Sequence, residues 1–317
     1  MSILVIKAGI LTTAQDLGRN GFRRFGINPN GAMDKTAARL INSLLGNDDG
    51  AAVLEMHFPA PEILFEEPAA FALGGADFTA KLNGETVENW RINFAGKGAT
   101  LKFTEKIFGS RAYLAVKNGF KIERWLDSAS TNLKAKIGGF EGRKLQTGDR
   151  IFFKQPTTSA SRRTAKKISN AVIPFYSKFP TVRVVAGAEF ELLTAVSQEN
   201  FLKENFTITQ NSDRMGFRLA GEALYLLHEK ELVSSAVNFG TIQLLPDGQL
   251  IVLMADHQTS GGYPRIANVI STDLPLLAQL GANEKVAFYL TSTEEAESLL
   301  MKFESDLNLL KIAAGFL

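Results

Sequence analysis

The chain has 317 residues, 45% of them hydrophobic and 21% charged, with a formal net charge of +2. That length and balance provide for a large core and favour two domains over one, and the charge offers no field for nucleic acid or an acidic membrane surface. There is no cysteine, which excludes disulfides, thiol catalysis, iron–sulfur clusters and thiolate zinc sites. The three histidines, at positions 57, 228 and 257, are too scattered to suggest a metal site.

In chain order, residues 1–10 carry one lysine and a short apolar run, without the features of a signal peptide. No stretch approaches the ~18 apolar residues that span a bilayer, so the expected location is the cytoplasm. Residues 12–21 are too polar and glycine-rich for a core strand, and 26–34 read as a turn into a helix. Asp34 is the expected cap of that helix, with Ala37, Leu40, Ile41, Leu44 and Leu45 as its apolar face and Gly46 as its end. Short alternating runs follow at 101–103, 111–116, 181–186, 206–209 and 250–254, punctuated by turns such as Asn83-Gly84 and Asp247-Gly248. Further helices are expected after Ser197 and Asp273, and at the C-terminus, where Ser292 and Glu295 form a capping box ahead of Leu299, Leu300, Phe303, Leu307 and Leu310. The chain is therefore read as mainly β with a few peripheral helices. Residues 155–170 are polar and read as a linker or surface loop between an N-terminal half, 1–160, and a C-terminal half, 171–317. A short internal echo, Gly75-Ala76-Asp77-Phe78 and Gly187-Ala188-Glu189-Phe190, fits two related halves.

Polar clusters beside the apolar runs are the candidate chemistry. Gln15, Asp16 and Arg19 read equally as ligand contacts or as a structural ion pair. Asp213-Arg214 is either a surface turn or a ligand clamp. Gln243 lies in a run that ends at Pro246-Asp247-Gly248, and Asp256, His257, Gln258 and Thr259 end the apolar run 250–255. Four polar residues closing a buried strand need partners at its mouth, which favours function for Asp256 and Gln258. His257 reads as a general base or as a hydrogen-bonded structural histidine, and Gly261-Gly262 before Tyr263 as a close approach to a ligand or as a turn. Carboxylate, carboxamide, hydroxyl and guanidinium groups together suit an amide or carboxylate compound. Neither a phosphate-binding Gly-x-x-x-x-Gly-Lys-Ser/Thr loop nor a Gly-x-Ser-x-Gly elbow occurs.

Several motifs run in order along nearly the whole chain. They are Thr13-Ala14-Gln15-Asp16-Leu17-Gly18-Arg19, Gly31-Ala32-Met33-Asp34, Asn42 with Gly46-Asn47, and Leu54-Glu55. They continue with Gly74 to Phe78, Gly109-Ser110-Arg111-Ala112-Tyr113-Leu114-Ala115, Ser212 to Gly216, and Asp256 to Pro264. In these the chain resembles the family that includes the C subunit of bacterial 5-oxoprolinase, also called the Kip-A or allophanate-hydrolase-subunit-2 type, of the biotin-dependent carboxyltransferases. The resemblance implies two cyclophilin-like β-barrel halves. It implies ATP-dependent opening of 5-oxoproline to glutamate together with the B (Kip-I type) and A subunits of 5-oxoprolinase, the ATP being bound with or by those partners. Related forms imply two alternatives: carboxyl transfer from biotin to urea or another amide, and a non-catalytic regulator binding a Kip-I-type partner. Asp213 and Asp256 are the expected catalytic carboxylates. Gln15, Asp16, Arg19, Arg214, Gln243, Gln258, Thr259, Gly261, Gly262 and Tyr263 are the expected substrate contacts. The chain has no Met-Lys-Met for biotin attachment, so in any carboxyl transfer it is one component of several.

Overall fold

The computed structural model describes residues 1–155, 166–228 and 232–315, which are mainly β with few helices, as the sequence indicates. It divides into two compact units. The first holds 1–19, 30–174 and 304–317, and the second 20–29 and 175–303. This division is not a single cut near 160–171, because residues 20–29 belong to the second unit and 304–315 to the first.

The first unit contains strands β1 (Ser2–Lys7), β2 (Thr12–Gln15), β3 (Val53–Met56), β4 (Glu62–Phe65), β5 (Ala69–Asp77), β6 (Ala80–Leu82), β7 (Glu85–Thr86), β8 (Ile92–Ala95), β9 (Thr100–Phe103), β10 (Phe108–Val116) and β11 (Arg150–Phe152). They form two sheets, ordered β11-β1-β4-β9-β6-β7 and β2-β3-β10-β5-β8. Their inner faces share one core, with Ile3, Val5, Ile63, Phe65 and Leu101 from one sheet and Leu54, Met56, Phe71, Leu73 and Leu114 from the other. The β6–β7 turn has positive φ at Asn83 (51°) and Gly84 (90°), the conformation a two-residue hairpin turn requires. Helix α1 (Lys35–Leu44) packs on β5 and β10. Asp34 caps it as expected, its carboxylate accepting from the Ala37 N–H at 2.8 Å.

The second unit is a closed barrel. Its strands are β12 (Thr181–Ala186), β13 (Phe206–Ile208), β14 (Gly216–Ala220), β16 (Thr241–Leu244), β17 (Leu250–Leu253), β19 (Arg265–Val269) and β20 (Lys285–Leu290), ordered β12-β19-β16-β17-β14-β13-β20. A separate ribbon pairs β15 (Ser235–Ala236) with β18 (Ser260–Gly261). Alternate residues such as Val182, Val184, Phe217, Leu219, Ile242, Leu244, Val286 and Phe288 are buried, as period-two strands around a filled barrel require. Helix α2 (Ala195–Lys203) brings Phe201 onto Phe288, the rings stacked with centroids 5.0 Å apart. It starts before Ser197 because Thr194 is the cap and accepts from the Ser197 N–H. Helix α3 (Leu274–Ala278) follows Asp273, but that carboxylate does not cap it and is instead forked by Arg183.

The polar segment at 155–170 lies largely outside the described residues. Its described end is paired: the Ile92 N–H donates to Lys166 O, the Ile168 N–H donates to Trp90 O, and the Ile168 side chain is buried.

The last helix, α4 (Thr293–Gly315), starts at the capping box, with the Glu295 N–H donating to Ser292 Oγ. Of its expected apolar stripe only Leu307 is fully buried. Ion pairs tie its later turns to α1 in the first unit. Arg39 donates to Glu304 at 2.6 and 2.7 Å and to Asp49 at 3.1 and 3.2 Å, and Lys311 donates to Asp49 at 2.8 Å. The Arg39 hydrogen bond holds the Glu304 carboxyl below its ordinary value. Burial pushes Asp49 up, but the hydrogen bonds from Lys311 and Arg39 outweigh it and the net shift is downward. Folded values below the unfolded ones mean that this stability is present above about pH 4 and is lost as pH falls through the folded values. Acid denaturation should therefore expose this lattice. Arg39→Met should lose about 1–2 kcal/mol at pH 7 and show a shallower decline between about pH 5 and 2, read by urea unfolding. An identical pH profile for the two proteins would remove the lattice from the account.

Candidate functional site

In the first unit, residues 12–15, expected to be too polar for a core strand, form the wholly buried β2, paired to β3. Gln15 ends it, Asp16 and Arg19 lie in the turn beyond, and the chain from 128 to 132 closes over them. The Asp16 carboxylate is buried and accepts four hydrogen bonds: from Ser128 Oγ (2.7 Å), Ser130 Oγ (2.6 Å), the Gly18 N–H (2.8 Å) and the Ala129 N–H (2.6 Å). A buried carboxylate is tolerable only with such saturation. Arg19 is fully buried, donates to Asn30 Oδ1 at 2.7 Å and to the Ser130 carbonyl, and lies over the Trp125 ring. Gly138, with φ of +66°, sits against it; a β carbon there would overlap the guanidinium and the Ser130 carbonyl. Gln15 is also fully buried, its amide donating to Thr13 Oγ1 (3.0 Å) and the Thr131 carbonyl (3.3 Å).

Behind this turn lies a second buried polar group that the residue-by-residue reading did not single out. Tyr113 and Glu55 face each other across the β10–β3 ladder. The Tyr113 hydroxyl donates to Glu55 at 2.8 Å and accepts from the Asp34 N–H at 2.8 Å, and Glu55 also accepts from the Met33 N–H. Burial first, then the Glu55 and Asp34 charges, push the Tyr113 phenol well above its ordinary value, so it remains a neutral donor. Glu55 and Tyr113 fall within the motifs of the family resemblance, their only sequence signal, whereas Asp34 was also expected as the helix cap.

In the second unit, Arg214 and Asp256 form a buried two-pronged ion pair, Nε to Oδ2 and Nη2 to Oδ1 both at 2.9 Å. The β14–β17 pairing brings them together across 42 residues of sequence, and the Asp256 N–H donates to Arg214 O. Asn28 donates to the Asp256 carbonyl at 3.0 Å, so segment 20–29 helps to hold this turn. Arg23 of the same segment donates to the Val237 carbonyl and to Asn238. Asp213 is exposed, and its Oδ1 accepts from the Met215 N–H at 2.7 Å in the turn entering β14. His257 is buried with Nδ1 against the Gln258 carbonyl, while Gln258 and Thr259 are half-buried. Gln243 is fully buried under the turn that follows, donating to the Tyr263 carbonyl at 3.3 Å, next to Gly261. Tyr263 itself is exposed, and with Gly262 it borders a cavity of about 760 Å³. Leu224, Tyr225, Leu244 and Pro246 also line that cavity, and among the described residues its lining is uncharged.

The structure thus joins Arg214 to Asp256, and Gln243 to Gly261 and Tyr263, within the second unit. Within the first it gathers Gln15, Asp16 and Arg19 around residues 128–131. Among the described residues no group of three or more His, Asp or Glu is arranged to hold a metal ion.

A two-sheet unit and a closed barrel, each ending strands in buried amide and carboxylate groups, define a mainly β protein whose candidate chemistry is polar recognition at strand ends. Residues 25–290 match the model of the carboxyltransferase domain, subdomain A and B, and the chain belongs to this family. It is 39% identical over 293 residues to the 5-oxoprolinase C subunit of Haemophilus influenzae, covering 92% of each chain. It is 38% identical over 294 residues to the 5-oxoprolinase C subunit of Escherichia coli, again covering 92% of each. The crystal structure of the K. lactis urea amidolyase superimposes with a TM-score of 0.90 at 25% identity, covering 98% of this chain and 20% of that one.

The Asp16 cluster makes a stability prediction. Asp16→Asn turns one acceptor into a donor facing donors that have nowhere else to turn. It should cost about 2–4 kcal/mol in chemical denaturation. A change within about 0.5 kcal/mol would mean that the carboxylate is not the anchor of segment 128–130.

Proposed function

We propose that this chain is the C subunit of a 5-oxoprolinase, acting with the B and A subunits in ATP-dependent hydrolysis of 5-oxoproline to glutamate. The observation that carries the reading is the match to two 5-oxoprolinase C subunits at 38–39% identity across 92% of both chains, whereas the chain spans a fifth of the urea amidolyase. The chain has no recognisable phosphate-binding loop, so ATP is held with or by the partner subunits, and no step of ATP chemistry is assigned to residues of this chain. An ATP-consuming reaction belongs in the cytoplasm. No helix among the described residues is long and apolar enough to cross a membrane.

In this reading the exposed Asp213 and the forked Asp256 are the carboxylates that meet the reacting amide. Arg214 holds Asp256 in orientation, while Gln258, Thr259, Gly261, Gly262 and Tyr263 shape the turn that receives the substrate. Gln15, Asp16 and Arg19, buried beneath residues 128–131, hold the corresponding turn of the first unit. The second reading, a carboxyltransferase component acting from biotin on urea or another amide, is favoured by the family model and by the amidolyase match.

The deciding experiment mixes the purified chain with its B and A partners and measures glutamate formation and ATP consumption on 5-oxoproline, with urea and carboxybiotin in parallel. Glutamate should appear only with all three proteins and ATP. Turnover by the isolated chain, or carboxylation of urea without any action on 5-oxoproline, would overturn the reading. Asp213→Asn should lower turnover of that complex roughly ten- to a hundredfold while leaving the melting temperature near that of the parent, since Asp213 is exposed. Unchanged turnover would leave Asp213 as a turn-former.

A further inference from the structure

Gln243 lies on β16 between Ile242 and Leu244, which pair with Val252 and Leu250 on β17 and belong to the buried core. Alternation turns Gln243 to the opposite face, away from the barrel interior. It is nonetheless 0% exposed, because the segment from Ser260 to Tyr263 lies on it. Its Nε2 donates to the Tyr263 carbonyl at 3.3 Å, and a β carbon at Gly261 would come 2.8 Å from the same nitrogen. Its Oε1 is buried and has no hydrogen-bond partner. Turning the amide over would set oxygen against the Tyr263 carbonyl, so the orientation is fixed.

The same arrangement recurs in the first unit. Gln15 is 0% exposed, its Nε2 donates to the Thr131 carbonyl at 3.3 Å, and its Oε1 is likewise buried without a partner. A buried acceptor left unpaired destabilises the fold, whereas an apolar side chain of the same size would not. Each unit therefore retains, against its own stability, one preformed carbonyl acceptor beneath a covering segment.

We propose that Gln243 and Gln15 are the amide-reading positions of their units, each accepting an N–H of an uncharged amide, lactam or urea group. An acceptor of this kind repels a carboxylate and rewards an N–H donor, so it reads the ring amide of the substrate and not its acid. Access to Gln243 requires the β15–β18 ribbon to lift. That ribbon has two paired positions only and carries the exposed residues Ala236 and Ser260, features of a segment that opens readily. The proposal deepens, and rests on, the reading of the chain as acting on a cyclic amide.

The test uses the full chain and two small lactams as probes, 2-pyrrolidinone and N-methyl-2-pyrrolidinone, which differ only in the N–H. Saturation-transfer NMR titrations should show pyrrolidinone binding and the methylated lactam binding roughly tenfold more weakly or not at all. Gln243→Met and Gln15→Met should each weaken pyrrolidinone binding, and the double variant should abolish it, with melting temperatures near that of the parent, since losing the orphaned oxygen offsets losing the Nε2 hydrogen bond. If Gln243→Met fails to fold, Gly261→Ala, which presses on the Gln243 amide and keeps its oxygen, should weaken binding in its place. No binding by the parent, equal binding of both lactams, or binding that survives the double substitution would overturn the proposal; a loss confined to Gln15→Met would overturn the role of Gln243. The reconstituted complex separates this proposal from the functional reading. Lactam binding of this pattern without turnover of 5-oxoproline would sink the function and keep the acceptors, whereas normal turnover by the double variant would sink the acceptors and keep the function.

Discussion

A carboxylate taken out of water must find donors for its lone pairs, and Asp16 finds four of them within 2.8 Å. That requirement organises the first unit around its strand-end turn. Two of the donors are hydroxyls and one is a backbone amide from three consecutive residues, 128 to 130, which lie more than a hundred positions further along the chain. Once that segment is fixed, its Ser130 carbonyl becomes a partner for the buried Arg19, and Arg19 in turn fixes Asn30. The next residues, Met33 and Asp34, are held by Glu55 and Tyr113, so that Asp34 is in place to start α1. Local order thus passes from one buried charge to the next, and each link depends on the one before being satisfied.

The second unit meets the same physical requirement with different parts. Its strand-end charge, Asp256, is neutralised by one forked arginine in place of a ring of hydroxyls and amides. Two further forks, Arg265 on Glu189 and Arg183 on Asp273, tie the barrel's connecting turns to strands in the same manner. A pair of this type orients both members and strands the survivor if one is removed, at a typical cost of about 3–5 kcal/mol. The proposed chemical role of Asp256 therefore sits on a residue that also holds the turn together. Asp213 is exposed, which makes it the cleaner probe of chemistry.

Much of the scaffold was legible in the sequence because its causes are local. Alternation set the strands at 181–186 and 206–208, Asn83-Gly84 set a turn that needs positive φ, and Asp34 three residues before Ala37 set a cap. Where two local signals competed, the reading slipped: Thr194 and Ser197 are both capping residues, and the earlier one starts α2. Asp273 precedes a helix but serves Arg183, a partner ninety residues away that no local rule identifies. The site was less legible for the same reason. Gln15, Asp16 and Arg214 stand out as polar residues at strand ends, but their partners Thr131, Ser130 and Asp256 arrive only through tertiary pairing. Glu55 and Tyr113 look like ordinary strand residues until the β3–β10 register sets them face to face.

The central claim is that buried charges, and not the strands alone, hold the turns on which recognition depends. Native-state hydrogen exchange resolved at the Gly18, Met33, Asp34 and Ala129 amides tests it most directly. These N–H groups lie outside strands and donate to Asp16, Glu55 and Tyr113. Protection comparable to that of β3 and β10, with exchange only on global unfolding of the unit, is expected. Exchange at the rate of an open loop, while β3 and β10 stay protected, would contradict it.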